Sequence, residues 1–345
     1  MAEEGYGSWT AIASAIKASA QRARAESATN QDVGALIAQA RLDRFLSRVF
    51  SDGERSEWLL KGGGAMLARV LHTRATKDVD LASSSGDLDE AQLALERAAG
   101  QQLDDHLRFE LTTARATGRG DNQPGVQTRR LLFSCFDVQT GRKVGEVPVD
   151  VVVGPAPVGT VETVTPANRL PLPRDLPAPQ YRLFPVADQV AEKVCATLQD
   201  YDGKPSSRVK DLVDLVTIAR TQQISMHELH AAIEHKRRQT NLDPIRTFAV
   251  PEGWDRQYRT LAAATPSAGG ITDVHEAEEF VRTLIDPALD GDSEQTWCPG
   301  HGWHEAGEVP ATEKSTDDRS VHVDAHVRSG HPGSEHHRGR RVSGA

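Results

Sequence analysis

The chain has 345 residues, a formal net charge of −9 and 38% hydrophobic residues. That length supplies enough apolar material for one large domain or two modest ones. No stretch approaches the roughly 18 apolar residues that a membrane helix needs, and the opening MAEEGYGSWT lacks the basic and apolar regions of a secretion signal. The acidic balance argues against a general nucleic-acid coat protein, because such binding depends on lysine and arginine neutralising phosphates.

The cysteines are isolated along the chain and odd in number: Cys135, Cys195 and Cys298. This usage favours free thiols over a disulfide framework. We therefore expect a reducing compartment and place the protein in the cytoplasm, with no membrane association.

The first predicted helix covers residues 30–50. Its apolar residues from Leu42 to Phe50 recur at helical spacing and form one stripe, and Ser27 and Thr29 are candidate caps. Three strand-like runs follow later in the chain, at residues 108–117, 129–136 and 145–153. The sequence GRGDNQPG between the first two runs is typical of a hairpin connection.

A proline-rich connector over residues 155–179 is expected to run along the surface. From Pro185 the pattern becomes helical, and helices are predicted over FPVADQVAEKVCATLQD, SSRVKDLVDLVTIAR and SMHELHAAIEHKRRQ. Residues 306–345 contain almost no aliphatic side chains, so they cannot bury enough apolar surface to offset the entropy of ordering. We expect this tail to be disordered.

The sequence LKGGGAMLARVLHTRATKDVDLA, residues 60–82, combines three glycines with two aspartates one residue apart. If KDVDL is a strand, Val79 and Leu81 face a core while Asp78 and Asp80 share the other face. Carboxylates that close raise each other's pKa unless a cation lies between them, and hard oxygen ligands suit Mg²⁺. For the D-x-D pair alone, an edge strand with a polar face in water is the alternative interpretation.

The glycines lie between the strand-like WLL and the helical AMLARVLH. A glycine corner at a helix N-terminus lets backbone N–H groups approach a phosphate closely. The sequence is neither a Walker A loop nor G-x-G-x-x-G. It predicts a phosphate cradle beside a pair of metal-binding carboxylates, which is typical of sites that handle nucleotides.

A third carboxylate is predicted within VPVDVVV. In a strand, Val149 and Val151 point one way and Asp150 points the other, so a charge inside this apolar run needs a partner. Asp150 is therefore a candidate third metal ligand. A half-exposed strand aspartate is the alternative interpretation.

At this point the chain resembles a known family. GG followed by an apolar helix and D-V-D-L resembles the motif of polymerase-β-type nucleotidyltransferases. LLKGGGAML with R-x-T-K-D-V-D-L, then A-E-K-V, then R-V-K-D-L-V-D-L, resembles more closely the AbiEii-type nucleotidyltransferase toxins, which include the MenT-like proteins. ARLDRFLSRVF and TWCPGHGW also resemble that family, so the similarity covers about residues 20–305 in the same order.

The resemblance implies a toxin of a toxin–antitoxin pair that uses a nucleoside triphosphate and Mg²⁺ and has a cognate antitoxin. Some members add nucleotides to the 3′ end of tRNA, which is the acceptor expected here. Carried over by motif, Asp78 and Asp80 would hold the metal ions, and Gly63 and Gly64 would lie near the triphosphate. The chain has Gly-Gly-Gly where the wider superfamily often has Gly-Ser, so a hydroxyl contact to the phosphate is absent.

The family motifs also imply that Lys193 in AEKV meets phosphate charge and that Asp211 in RVKD is a further active-site acid. A solvated lysine is the alternative interpretation of Lys193, because its helix face also carries Gln189 and Thr197. A helical wheel places Asp211 on the apolar side of its helix, which favours a partner such as Lys193 or Arg208. Asp214 falls on the polar face with Lys210, four residues earlier, and is predicted to form a surface ion pair with it.

Two further groups of cations have two interpretations each. Arg74 and Lys77 flank the aspartates and would either bind nucleotide phosphate or neutralise the strand. The basic run at residues 235–238 would either hold an RNA backbone or form a solvated helix end.

The predicted fold class is α+β, with a polymerase-β-like nucleotidyltransferase mixed sheet and helices followed by a helical C-terminal half. The expected division is an N-terminal helical segment, a nucleotidyltransferase core, a helical C-terminal domain and a disordered tail, at residues 1–55, 56–180, 181–305 and 306–345. The expected activity is metal-assisted transfer of NMP to tRNA. Transfer to a protein or small molecule, and a non-catalytic nucleotide-binding regulator, are the alternatives.

Overall fold

The computed structural model describes residues 5–26, 31–117, 126–201, 203–291 and 293–305. These residues belong to one compact unit, Met1–Val309. The predicted disordered tail, the candidate caps Ser27 and Thr29, and the GRGDNQPG connection lie outside the described residues. Each of the three cysteines is buried and free, as predicted.

A mixed seven-stranded sheet forms the N-terminal half. Its strands are β1 Trp58–Lys61, β2 Val79–Ser83, β3 Leu107–Thr117, β4 Gln127–Asp137, β5 Lys143–Val153, β6 Glu162–Val164 and β7 Tyr181–Leu183. The order across the sheet is β3-β4-β5-β2-β1-β7-β6. The β2–β5 and β1–β7 pairs are parallel, and the other pairs are antiparallel. The predicted mixed sheet is confirmed, and β3, β4 and β5 lie on the three predicted runs.

Four helices accompany this sheet: α1 Trp9–Ala25, α2 Val33–Val49, α3 Gly62–Arg69 and α4 Leu88–Ala99. The predicted first helix is α2, and it is capped by Asp32, whose carboxylate accepts a hydrogen bond from the Ala35 amide at 2.8 Å. The apolar stripe predicted on α2 is buried, with Phe45 packing against Phe109 and Phe133 of the sheet. A short 3-10 helix, Gly53–Arg55, connects α2 to β1.

The C-terminal half is mainly helical, as predicted. Its helices are α5 Val186–Leu198, α6 Val209–Thr221, α7 Met226–Gln239, α8 Asp255–Ala263 and α9 Val274–Asp290, with a 3-10 helix at Pro266–Ala268. It also contains a small antiparallel sheet that the sequence did not suggest, made of β8 Ile224–Ser225, β9 Gln295–Cys298 and β10 Gly302–Glu305. Trp297 of this sheet donates a hydrogen bond to the Ala219 carbonyl at 2.7 Å, which fixes the sheet to α6.

The two halves of the protein meet where β7 ends and α5 begins. Leu183 pairs with Leu60 of β1, and the Phe184 amide donates to the Leu60 carbonyl at 2.9 Å. The start of α5 is therefore held beside the end of β1, where α3 begins. In the part of the chain that the structure describes, every helix is too short or too polar to cross a bilayer.

Candidate active site

The carboxylates of the D-x-D pair lie where the strand pattern predicts. Val79 and Leu81 are buried in the core, while Asp80 is only partly buried on the other face of β2. Asp80 lies directly beside Asp150 in the parallel β2–β5 register. Asp78 immediately precedes β2. We call Asp78, Asp80 and Asp150 the acidic face.

Arg130 of β4 is the counterion of this face, and sequence reasoning missed it. It pairs with Asp150 across β4 and β5. Its guanidinium nitrogens lie 3.5 Å from a carboxylate oxygen of Asp78 and 3.5 Å from one of Asp150. These contacts are loose and partly solvated, since the Asp78 and Asp150 side chains are 37% and 28% exposed. Side chains alternate between the two faces of β4, and this alternation puts Arg130 on the same face of the sheet as Asp150. It was the signal in the sequence from which this contact could have been predicted.

Asp80 carries the least compensated charge of the acidic face. Burial, together with the nearby charges of Asp78 and Asp150, raises the pKa of Asp80 to about 6, although Lys61 and Lys193 act in the opposite direction. Burial also raises the pKa of Asp150, against the opposing effect of Arg130. The site therefore holds excess negative charge.

The acidic face fits a divalent cation by its donor chemistry. Its carboxylate oxygens are hard ligands, and the raised pKa of Asp80 marks a charge that such a cation would offset. Within the described ranges, no three Asp, Glu, His or Cys side chains already converge closely enough to hold a metal ion. The three aspartates would have to draw together around it, in place of Arg130.

The glycine corner forms the first turn of α3, which starts at Gly62. Gly62 has a φ of +56°, and a Cβ at this position would clash with the Asp80 carboxylate. A Cβ on Gly63 would crowd Thr76, and one on Gly64 would crowd Leu60. The missing side chains therefore make room for the protein's own groups, above all for Asp80.

Only one glycine of the corner, Gly62, lines the cleft described below. Gly64 lines a different cavity. The expectation that Gly63 and Gly64 lie near a triphosphate stays a prediction.

An ion network with buried acids joins α5 and α6 of the C-terminal half to Arg74, which lies between α3 and β2. Lys193 Nζ lies 3.0 Å from Asp211 Oδ1 and 2.6 Å from Asp214 Oδ2. Arg74 donates two hydrogen bonds of 2.8 Å to Asp214, and Arg208 Nε lies 2.7 Å from Asp211. We call these five residues the buried ion network. The predicted contacts of Asp211 with Lys193 and Arg208 are confirmed.

The predicted surface pair between Asp214 and Lys210 is wrong. Lys210 is exposed, whereas the Asp214 side chain is 2% exposed and is held by Lys193 and Arg74. The physical reason is that α6 is covered by α5, α8 and α9 beyond its first residues, so Asp214 lies inside the protein while Lys210 remains exposed. A helical wheel shows which residues share a face, but it does not show which neighbour covers that face.

The network also changes the interpretation of Lys193 and Arg74. Although burial opposes its charge, Asp214 and Asp211 hold the pKa of Lys193 above its usual value. Arg74 donates both of the hydrogen bonds described above to Asp214. Both cations are held by carboxylates of α6 in this arrangement, and the phosphate contact predicted for Lys193 stays a prediction. Lys77 is exposed beside the acidic face, and the nucleotide contacts predicted for it and for Arg74 stay predictions.

A cleft of about 400 Å³ separates the sheet from the C-terminal half. Lys61, Gly62 and Asp80 line one side, and Lys193, Asp211 and Lys236 line the other. Another cavity, of about 430 Å³, lies among α2, α3 and residues 165–178, and it contains Asp78 and Gly64. We assign the site to the cleft because Asp80 and the buried ion network meet there.

The basic run at residues 235–238 is partly engaged. Arg237 and Arg238 both contact Glu234. Lys236 points into the cleft and is largely buried. The run is therefore not a uniform basic surface.

Comparison with known proteins places these features in a family. The family model described as nucleotidyl transferase AbiEii toxin, type IV TA system, matches residues 44–281, which is more than half of the chain. No curated protein matches the sequence.

The solved structures that are similar to this chain include the following two. JHP933 from Helicobacter pylori has 14% identity and a TM-score of 0.40, covering 73% of this chain and 94% of its own. MenT4, a nucleotidyltransferase toxin from Mycobacterium tuberculosis, has 15% identity and a TM-score of 0.45, covering 79% of this chain and 98% of its own.

Proposed function

The chain belongs to the AbiEii family of nucleotidyl transferase toxins of type IV toxin–antitoxin systems, and we propose that it transfers NMP from a nucleoside triphosphate to the 3′ end of tRNA. The family implies a nucleoside triphosphate substrate and a cognate antitoxin. The observation that carries the proposal is the placement of Asp80 beside Asp150 on parallel strands, with Asp80 lining a cleft whose opposite wall carries Lys193 and Asp211.

The proposed reaction is an in-line displacement at the α-phosphate. The 3′ oxygen of the acceptor forms a bond to the α-phosphorus, the bond to the bridging oxygen breaks, pyrophosphate leaves and the hydroxyl proton passes to solvent. Mg²⁺ held by Asp78, Asp80 and Asp150 would offset the negative charge that develops on the reacting oxygens. The acidic face provides the carboxylates, and Gly62 leaves the space in which Asp80 lies.

Lys193 and Asp211 act in this proposal as positioning residues. Their ion pairs join α5 to α6, and through Asp214 they hold Arg74, which lies between α3 and β2. This arrangement fixes the helical wall of the cleft opposite the acidic face. It supports orientation of the nucleotide, which is the main protein contribution to phosphoryl-transfer chemistry.

The decisive experiment incubates the protein with total tRNA, Mg²⁺ and each α-labelled nucleoside triphosphate in turn. We expect label in tRNA with the intact chain, no label after chelation of the metal, and no label with Asp78→Ala. Asp52→Asn is the matched control, because Asp52 is exposed and lies outside the cleft. Label on a protein or small molecule instead would replace the tRNA acceptor, and absence of label with every nucleotide would contradict nucleotidyl transfer.

A further inference from the structure

A separate charge cluster lies in the cleft, outside the acidic face and the buried ion network. Lys61 at the end of β1 places its Nζ 2.6 Å from Glu192 Oε1 of α5. Lys236 of α7 places its Nζ 3.8 Å from the same oxygen. We call Lys61 and Lys236 the lysine pair.

One carboxylate, that of Glu192, directly contacts both ammonium groups of the lysine pair. The two lysine side chains are 10% and 12% exposed, and they share the carboxylate of Glu192. Lys61 also lies 4.1 Å from the centre of the Phe184 ring, and Lys236 lies 3.5 Å from Gln239 Oε1. Burial lowers the pKa of Lys236, and the charge of Lys61 adds to that effect. Two largely desolvated ammonium groups with one carboxylate favour a further anion.

Of the other acids that line this cleft, Asp188 and Asp211 already have partners, and Asp80 is assigned to the metal in the proposed function. Asp188 accepts hydrogen bonds from the Val158 and Gly159 amides at 2.8 and 2.7 Å. Asp211 is held by Lys193 and Arg208. Neither is therefore available as the missing counterion of the lysine pair.

The location of Lys61 joins this cluster to the acidic face. Lys61 pairs with Asp80 across β1 and β2, so the two residues are direct neighbours on adjacent strands. It also immediately precedes Gly62, where α3 begins. An anion bound at the lysine pair would consequently lie next to Asp80, which would hold the metal in the proposed function.

Resting on the proposed nucleotidyl transfer, we propose that the lysine pair binds the β- and γ-phosphates of the nucleoside triphosphate, the part that leaves as pyrophosphate. Glu192 keeps the two ammonium groups in place and competes with the phosphates for them. Lys193, to which the family motif would assign phosphate contact, already donates hydrogen bonds to Asp211 and Asp214. Lys61 and Lys236 supply that contact in its place.

The first test measures binding of inorganic tripolyphosphate by calorimetry, without divalent metal and at fixed ionic strength. Lys61→Met and Lys236→Met should each weaken binding by about tenfold, the size expected for one charge-assisted contact. Lys210→Met is the matched control, because this exposed lysine lies outside the cleft and its loss changes net charge equally. Unchanged affinity in both cleft variants would overturn the proposal.

Glu192→Gln separates phosphate binding from a purely structural role. Removing the competing carboxylate should tighten tripolyphosphate binding by several-fold, whereas a structural ion pair would show only lost thermal stability. Weaker or equal binding by this variant would count against the proposal. The Glu192→Gln variant also tests the proposal if a lysine variant does not fold.

Kinetics of label transfer distinguish the triphosphate from the acceptor backbone as the source of phosphate. The lysine variants should raise KM for the nucleoside triphosphate by about tenfold and leave KM for the acceptor unchanged. A change in KM for the acceptor alone would overturn the proposal. If no acceptor is labelled but the tripolyphosphate results hold, the proposed function fails and the phosphate site stands.

Discussion

The acidic face and the buried ion network both combine aspartates with basic side chains, but they differ in how closely their charges are paired and how far they are exposed to solvent. In the acidic face, the counterion Arg130 lies 3.5 Å from two partly exposed carboxylates. In the network, Lys193 approaches Asp211 and Asp214 to 3.0 and 2.6 Å with little exposure to solvent. The first holds excess negative charge, whereas each carboxylate of the second is paired with two cations.

This difference indicates that the acidic face binds a ligand and that the buried ion network stabilises the fold. A group that must bind a ligand needs charge that the protein leaves uncompensated, and such groups have perturbed pKa values. Removing one member of a paired, buried network strongly destabilises the folded protein, because a buried charge is left without its partner. We therefore expect changes in the acidic face to affect activity and changes in the network to affect stability.

The largest effect should come from Asp80→Asn. Transfer of label should fall by about a thousandfold or more, because a metal-binding carboxylate is lost. The free energy of unfolding should not fall, because the raised pKa of Asp80 shows that its charged form is disfavoured in the folded protein. Parallel measurements of transfer rate and urea unfolding test this pair of outcomes. A large loss of stability would show that Asp80, like the buried ion network, stabilises the fold, and would contradict the proposed difference between the two regions.

Lys193→Met should have the opposite profile. It leaves Asp211 and Asp214 buried without their shared cation, and it should lower the free energy of unfolding by about 3–5 kcal/mol. Urea unfolding followed by circular dichroism measures this loss. Full stability together with a raised KM for the nucleotide would show instead that Lys193 serves the phosphates.

Gly62→Ala sharpens the comparison by disturbing Asp80 without changing any charge. A Cβ at this position clashes with the Asp80 carboxylate, so transfer should fall by about ten- to a hundredfold. Gly53→Ala is a close control, because Gly53 has a φ of +57° and open space at its Cβ. Both variants carry the backbone strain of roughly 1–2 kcal/mol. Equal transfer rates for the two would exclude a role for the Gly62–Asp80 contact.

Arg130→Met should make the acidic face a better cation site. Removing the competing guanidinium should tighten Mn²⁺ binding by several-fold in the nucleotide-free protein, measured by electron paramagnetic resonance. Arg129→Met provides the comparison, since Arg129 contacts Asp89 and Gln92 away from the acidic face. Weaker Mn²⁺ binding by the Arg130 variant would show that this arginine supports the site.

The smallest effect should come from Lys210→Ala. Its side chain is exposed, and Asp214 already has Arg74 and Lys193 as partners. The free energy of unfolding should change by less than about 0.5 kcal/mol. A loss comparable to that of Lys193→Met would restore the surface-pair interpretation of Asp214.

Local pattern was sufficient to predict β1 to β5 and the acidic face. Alternation in KDVDL and VPVDVVV indicates which residues face the core, because the period of a strand is a property of the chain itself. Pairing of Asp80 with Asp150 follows once β2 and β5 are neighbours.

The environment of α6 and the lysine pair could not be predicted in this way. Asp214 reads as a surface residue because the helices that cover α6 are distant in sequence. Lys61 and Glu192 are brought together only by the parallel pairing of β1 with β7, which no local pattern marks. Their contact is a consequence of topology.

That topology also sets when the cleft can exist during synthesis. Lys61 contacts Glu192, which lies 131 positions later in the chain, and β1 acquires its neighbour β7 only at residues 181–183. Contacts of such long sequence separation form late and require most of the chain. A nascent chain that ends before α5 has no cleft, so a ribosome making this toxin carries an inactive product until more than half of the protein has emerged.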